Sequence, residues 1–210
     1  ILYAVDLAVL LYNFYARKIS FYGKSKPLMM ITKGLLIPLL AILIYNNRRL
    51  QNEKFELFAL GCWIGDIMLM FNGFALQLLG VICFGAAHVG LIMFYDVPIK
   101  MPDVITLMLV VVPCLALVFY TFPIAFKAKA EYRAVILYIL VLGSSMAAAG
   151  MRSMKYGLMS FTYHLVYAGH LMFILSDSIL IAAILRHSPP DFNFNVLLTY
   201  GLALLFIFAG

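Results

Sequence analysis

The chain has 210 residues, of which 65% are hydrophobic and 11% charged, with a formal net charge of +6 and a mean hydropathy of +1.03. A soluble domain runs near about 45–50% apolar and roughly 25% charged, so this composition excludes a soluble enzyme, a disordered binder and any large domain outside a bilayer. The positive balance suits loops lying against anionic headgroups and calls for no nucleic acid.

A hydrocarbon core about 30 Å thick takes roughly 20 apolar residues per helix, which leaves room for about eight spans. The apolar runs predict helices over 1–16, 27–45, 57–72, 76–95, 104–122, 133–150, 163–185 and 194–210. Charged or turn-forming residues separate them: Arg17-Lys18, Asn46-Asn47-Arg48-Arg49, Asn72-Gly73, Asp96-Val97-Pro98, the Lys127-Ala128-Lys129 segment, Arg152-Ser153-Met154-Lys155 and Pro189-Pro190-Asp191. Barrel strands would alternate over about ten residues, and these runs do not. The expected fold is all-α, a polytopic membrane bundle forming one integral membrane domain over 1–210. The first run carries Asp6 and Asn13, which are foreign to a disposable leader, so no signal peptide is expected. Cys62, Cys83 and Cys114 fall inside apolar runs without a CxxC spacing, which points to neither disulfides nor zinc. Odd-numbered connections hold eight Lys and Arg and even-numbered ones six, a small bias toward odd loops in the cytosol.

The third run reads Ile64-Gly65-Asp66-Ile67-Met68 and the seventh Leu175-Ser176-Asp177-Ser178-Ile179. Each puts a small residue and then Asp within an apolar helix. The seventh run follows the third by four spans, so the two helices run in one direction. That pattern fits two four-helix halves, 1–95 and 104–210, related by an axis along the membrane normal. Both aspartates would then face one pseudo-symmetric interface.

Ionisable groups inside spans are costly, face the bundle interior and mark functional sites. Here they are Asp6, Lys33, Asp66, His88, His170 and Asp177, with Lys26 opening the second run. Asp66 and Asp177 lie from mid-depth toward the odd-loop face, and Lys26, Lys33, Asn13, Tyr138 and Tyr200 occupy the same half. Against this stand structural readings. The aspartates could pair with Lys33, Asp6 could serve the membrane interface, and His88 could be a packed, hydrogen-bonded histidine. Gly61 and Gly65 form a small-xxx-small surface for close helix packing. The twelve Met and seventeen Phe are expected to face lipid.

Two carboxylates close together in low dielectric titrate apart, leaving one acid and one anion. Such a pair can protonate a substrate and stabilise the cation that results. No nucleophile elbow, Walker loop, HExxH or Gly-rich dinucleotide turn is present. From spacing alone this chemistry stands beside a proton-coupled carrier or a lipid-binding membrane protein, with a metal-dependent lipid hydrolase further behind.

The motifs, taken in order, resemble the YhhN family of multi-pass membrane proteins, which includes lysoplasmalogenases. They are Lys26-Pro27-Leu28, Gly65-Asp66-Ile67-Met68-Leu69, then Gly80, Phe84 and His88 at four-residue spacing. Val135-Ile136-Leu137-Tyr138, Met146, Phe173 through Leu180 and Thr199-Tyr200 follow. The resemblance implies hydrolysis of the vinyl ether bond of a lysophospholipid substrate, releasing a fatty aldehyde and a glycerophospho-base, with no metal or cofactor. It implies Asp66 and Asp177 as catalytic carboxylates. Lys26, Lys33, Asn13, His88, Tyr138, Ser176 and Tyr200 are implied as substrate-binding or orienting groups. Leu91 and Leu204 stand where the family often has Tyr and Gln, departures that bear on substrate fit and activity. The implied location is a multi-pass protein among bilayer lipids, in the endoplasmic reticulum of a eukaryote or the inner membrane of a bacterium.

Overall fold

The computed structural model describes residues 34–41, 52–71, 73–97, 100–127, 134–186 and 192–210. Asp6, Asn13, Lys26, Lys33 and the whole first run lie outside the described residues. Within them the chain is all-helical: α1 (Glu53–Met68), α2 (Phe74–Tyr95), α3 (Val104–Lys127), α4 (Ala134–Met151), α5 (Ser153–Tyr156), α6 (Phe161–Arg186) and α7 (Phe192–Ala209). Residues 34–41, inside the second predicted run, are helical as well. Four segments are long and apolar enough to cross a membrane: Ala75–Tyr95, Val104–Phe126, Val135–Tyr156 and Phe161–Ala182. A shorter apolar helix covers Asn195–Ala209.

Among the boundaries that differ from expectation, three have a local reason. α1 starts at Glu53 rather than 57 because Asn52 caps it, its Oδ1 accepting from the Lys54 amide at 3.0 Å. Glu53 and Glu56 occupy the first turn, where the helix dipole favours carboxylates. α3 runs through Pro123 to Lys127 instead of stopping at 122, since a membrane helix tolerates proline where other groups satisfy the freed carbonyls. The expected break at 152–155 contains a helical turn, α5. Gly157 ends it at φ 80, in the left-handed region that favours glycine.

The chain divides into two compact units, Ile1–Leu91 and Ile92–Gly210. In the first, α1 and α2 run antiparallel with glycine at the contacts. A Cβ on Gly61 would sit 2.8 Å from the Cys83 carbonyl oxygen and 2.9 Å from the Ala87 Cβ. One on Gly65 would sit 2.8 Å from the Phe84 ring, and one on Gly90 2.7 Å from the Lys54 carbonyl oxygen. The seam expected from Gly61 and Gly65 is therefore present, and glycines on α2 extend it. Trp63 Nε1 donates to the Gly34 carbonyl at 2.8 Å, tying α1 to the 34–41 segment.

In the second unit α3 is inverted relative to a water-soluble helix. Its buried positions are Thr106, Pro113, Leu117, Thr121 and Ala125, one stripe of mostly small or polar residues. Ile105, Met108, Val112, Leu115 and Phe119 are exposed. Small residues inward and bulky apolar residues outward suit a helix whose outer solvent is lipid. The chain is an integral, multi-pass membrane protein. The expectation that Phe and Met face lipid fails at several positions: Phe55, Phe58, Phe173, Phe208 and Met146 are fully buried. In helix pairs built on glycine and alanine, larger side chains fill the remaining interior volume.

α6 packs antiparallel to both α4 and α7. Against α7, a Cβ on Gly169 would meet Ile207 at 2.8 Å and the Ala203 carbonyl oxygen at 3.0 Å. Against α3, Tyr167 Oη donates to the Leu109 carbonyl at 2.9 Å. That carbonyl is the one Pro113 leaves without its helical donor, since proline has no amide hydrogen to give to residue i−4. Tyr167→Phe is expected to destabilise the protein by on the order of 1 kcal/mol. In a Pro113→Ala background, where an amide hydrogen returns to position 113, the same change should cost much less. Unfolding of the four proteins in detergent micelles measures the coupling; equal losses in both backgrounds would refute the link.

Candidate active site

The polar groups predicted within the spans are placed by helix faces that the apolar pattern sets. Asp66 lies on α1 beside the glycine seam and is 2% exposed. His88 lies on α2, one position past Ala87 of that seam, and is fully buried. Both belong to the first unit. Asp177 belongs to the second, on α6, and is 4% exposed.

Asp177 faces α4, where Tyr138 Oη donates to its Oδ2. Because α4 and α6 are antiparallel, the start of one meets the later half of the other, and Tyr138 in the second turn of α4 reaches Asp177. Beside it Ser176 turns toward α7, its Oγ donating to the Val196 carbonyl at 3.1 Å. Tyr200 of α7 meets Phe173 edge to face, with ring centroids 5.5 Å apart. Ser178, next along α6, is buried too. The result is a carboxylate held between helices by a phenol and flanked by aromatic and small polar side chains.

Two helical turns away on α6, about 10 Å along the axis, His170 makes a second polar centre. Its Nδ1 lies 3.0 Å from the Val166 carbonyl oxygen. A carbonyl only accepts, so Nδ1 carries the hydrogen and Nε2 is the acceptor. Ser145 of α4 therefore donates to Nε2 at 3.1 Å, and Tyr95 Oη approaches the same atom at 3.5 Å. Next to Tyr95 is Arg152, whose guanidinium lies 4.6 Å from the ring centroids of both Tyr95 and Tyr156. Lys155 Nζ completes this end. It donates to the carbonyls of Tyr95 at 3.5 Å and Asp96 at 3.3 Å and pairs with the Asp96 carboxylate at 3.6 Å. Asp96 has φ 45, so α2 ends in a left-handed residue, with a cation at its terminal carbonyls.

The model of the YhhN family matches residues 28–210. The chain belongs to the YhhN family. No curated protein and no solved structure matches it. The stretch matched by the YhhN model holds Asp66, His88, Tyr138, Ser176, Asp177 and Tyr200, along with Lys33; Asn13 and Lys26 precede it. Among the described residues, no three His, Cys, Asp or Glu side chains gather as a metal site would require.

Of the sequence-predicted residues, the structure brings Tyr138 directly onto Asp177. Ser176 and Tyr200 take part in the neighbouring α6–α7 contact. Sequence reasoning missed the Tyr95–His170–Ser145 cluster and placed Arg152 in a solvated break, whereas it is 4% exposed. A usable signal was present for the cluster. Ser145 lies seven residues, two helical turns, past Tyr138, as His170 lies seven before Asp177, so both contacts follow from one antiparallel register. Arg152 carried no such signal, the two tyrosines beside its guanidinium being distant or unremarkable in sequence. Ser145→Ala should leave the His170 Nε2 with only the longer Tyr95 approach and cost on the order of 1 kcal/mol. The midpoint of thermal unfolding in micelles reads this; an unchanged midpoint would show the hydrogen bond to be idle.

Proposed function

We propose that this YhhN-family protein is a membrane hydrolase of about eight spans that cleaves the vinyl ether bond of lysoplasmalogens. The products are a fatty aldehyde and glycerophosphoethanolamine or glycerophosphocholine. The observation that carries the reading is the ordered set of family motifs, which includes both intramembrane aspartates. The buried, phenol-bonded state of Asp177 supports it, because a carboxylate at that depth is retained for a task.

The chemistry asks little beyond two carboxylates and water. An enol ether is hydrolysed by slow protonation at the carbon β to oxygen: the double-bond electrons form the new C–H bond, and the ether oxygen's lone pair stabilises the resulting cation as an oxocarbenium ion. One carboxyl group, protonated, supplies that proton. The other, ionised, stabilises the cation and takes a proton from the water that attacks the oxocarbenium carbon. The hemiacetal then collapses. The second carboxyl passes its acquired proton to the departing glycerol oxygen, the hemiacetal hydroxyl gives its proton to the first carboxylate as the aldehyde forms, and the starting protonation states return. Asp66 and Asp177 are the two carboxylates in this reading. Lys26 and Lys33 bind the phosphate, and Asn13 and His88 orient the substrate. The alkenyl tail lies among the apolar helices. No metal or cofactor enters the sequence of steps.

Purified protein in micelles should release aldehyde from an alkenyl lysophospholipid, and Asp66→Asn and Asp177→Asn should each lower the rate by at least about 100-fold. Full activity in either variant would sink the two-carboxylate mechanism. An inactive wild type that instead drives proton-dependent uptake in liposomes would favour a carrier.

A further inference from the structure

The second unit has one end where apolar side chains stand clear of the protein. Met159 is 95% exposed, Phe161 73% and Met101 94%, and Tyr156 and Val104, nearby in sequence, are exposed as well. They belong to two connections, between α2 and α3 and between α5 and α6, which the fold brings to the same end. Lys155 Nζ donates to the Tyr95 and Asp96 carbonyls, joining α5 to the last turn of α2. Thr106 Oγ1 and Ser153 Oγ lie 2.7 Å apart, joining α5 to the first turn of α3. Tyr163 Oη donates to the Gly150 carbonyl at 3.4 Å, joining the start of α6 to the end of α4. Apolar side chains exposed singly are ordinary, but several at one end of a molecule mark a surface that something else covers.

The surroundings of this patch are those of a bilayer boundary. The four segments able to cross a membrane all begin or end here, at Tyr95, Val104, Tyr156 and Phe161, so Met101 and Met159 stand within three residues of a span end. Val104 and Ile105 continue the patch without a break onto the outer, lipid-facing side of α3. The turn from α5 to α6 also closes hydrogen bonds of its own. The Gly157 amide donates to the Ser153 carbonyl at 2.8 Å, that of Ser160 to Gly157 at 3.2 Å and that of His164 to Ser160 at 3.1 Å. Each bond removes a donor and an acceptor that would otherwise call for water. Lys100, Arg152 and Lys155 outnumber Asp96 and Asp103 at this end. Asp96 is paired with Lys155 at 3.6 Å, and Asp103 Oδ1 accepts from the Thr106 amide at 2.7 Å. The cationic balance suits a layer of phosphates.

We propose that this end of the second unit is seated in a phospholipid leaflet, with Met101, Met159 and Phe161 dipping into the boundary between headgroups and acyl chains. The turn between α5 and α6 is then an interfacial element and not a loop in water. Apolar side chains of such elements reach about 5–10 Å into the boundary, and the cations of this end lie at the depth of the phosphates. The seating does not depend on the hydrolase reading: a protein without that activity would be held in the same way.

Trp63 is the one tryptophan of the chain, so Trp63→Phe gives a background into which Met159→Trp, Phe161→Trp and Met101→Trp are placed one at a time. In phosphatidylcholine vesicles each tryptophan should emit to the blue of free tryptophan and resist quenching by iodide. Acyl chains brominated near the glycerol end should quench it at least about twice as strongly as chains brominated near the methyl end, as a depth of ~5–10 Å requires. Emission at the wavelength of free tryptophan, quenched by iodide, would put the turn in water and overturn the proposal. Blue emission that brominated lipid leaves unchanged would mean that protein covers the patch, a second copy of this chain or another partner, and would overturn it equally. Stronger quenching by the deep bromines would sink the turn into the span and refute an interfacial seat. A variant whose unfolding midpoint falls below that of its parent is set aside, and the other two positions decide. If Trp63→Phe itself lowers the midpoint, through loss of the contact with the Gly34 carbonyl, the same tryptophans are read by difference against wild type.

Discussion

Inside hydrocarbon, a polar group finds its partner within the protein or goes without, and α6 shows how this chain meets that demand. Tyr167 reaches the Leu109 carbonyl on α3, His170 receives Ser145 from α4, Asp177 receives Tyr138 from α4, and Ser176 reaches Val196 on α7. Each of these contacts crosses from one helix to another. Every one of them also fixes a register, because the donor and acceptor meet at a single relative shift of the two helices. Apolar side chains pack nearly as well against lipid tails as against each other, so polar pairs and close van der Waals contact specify the arrangement.

Close contact comes from glycine. The α1–α2 seam and the α6–α7 seam both bring a glycine Cα to within reach of a facing backbone carbonyl, at Gly61 and Gly90 in one and Gly169 in the other. Nothing larger fits at those points without displacing the partner helix. The polar groups then sit beside the seams: Asp66 next to Gly65, and His170 next to Gly169. A side chain adjacent to a point of closest approach is held off lipid by the neighbouring helix. Close packing at glycine and burial of an ionisable neighbour are thus two consequences of one local sequence, a small residue followed by a polar one.

That local sequence is why much of the fold was legible beforehand. The predicted runs over 76–95, 133–150, 163–185 and 194–210 match their helices to within about two residues, because apolar length and punctuation are direct consequences of bilayer thickness. The boundaries that moved did so where a side chain overrides composition, at the Asn52 cap and at Pro123. Asp66 and Asp177 could be singled out because a carboxylate in an apolar run is conspicuous. Their partners could not be found the same way. Tyr138 was named from its depth and from the family resemblance, but its pairing with Asp177 is set only by the antiparallel register of α4 and α6. Arg152 looked like loop because Arg beside Ser and Lys usually is, whereas its guanidinium lies against the rings of Tyr95 and Tyr156, a contact that favours a cation.

The positions of Arg152 and Asp177 within one unit also constrain what each can do. They occupy opposite ends of the α4–α6 contact, and the His170–Ser145 pair lies between them. At about 21 Å, Arg152 exerts little pull on the Asp177 carboxylate even at the low effective dielectric of a helix bundle. The stacked guanidinium at one end and the Tyr138–Asp177 contact at the other are thus separate anchors of one antiparallel pairing, and a substitution at either leaves the other's partners in place.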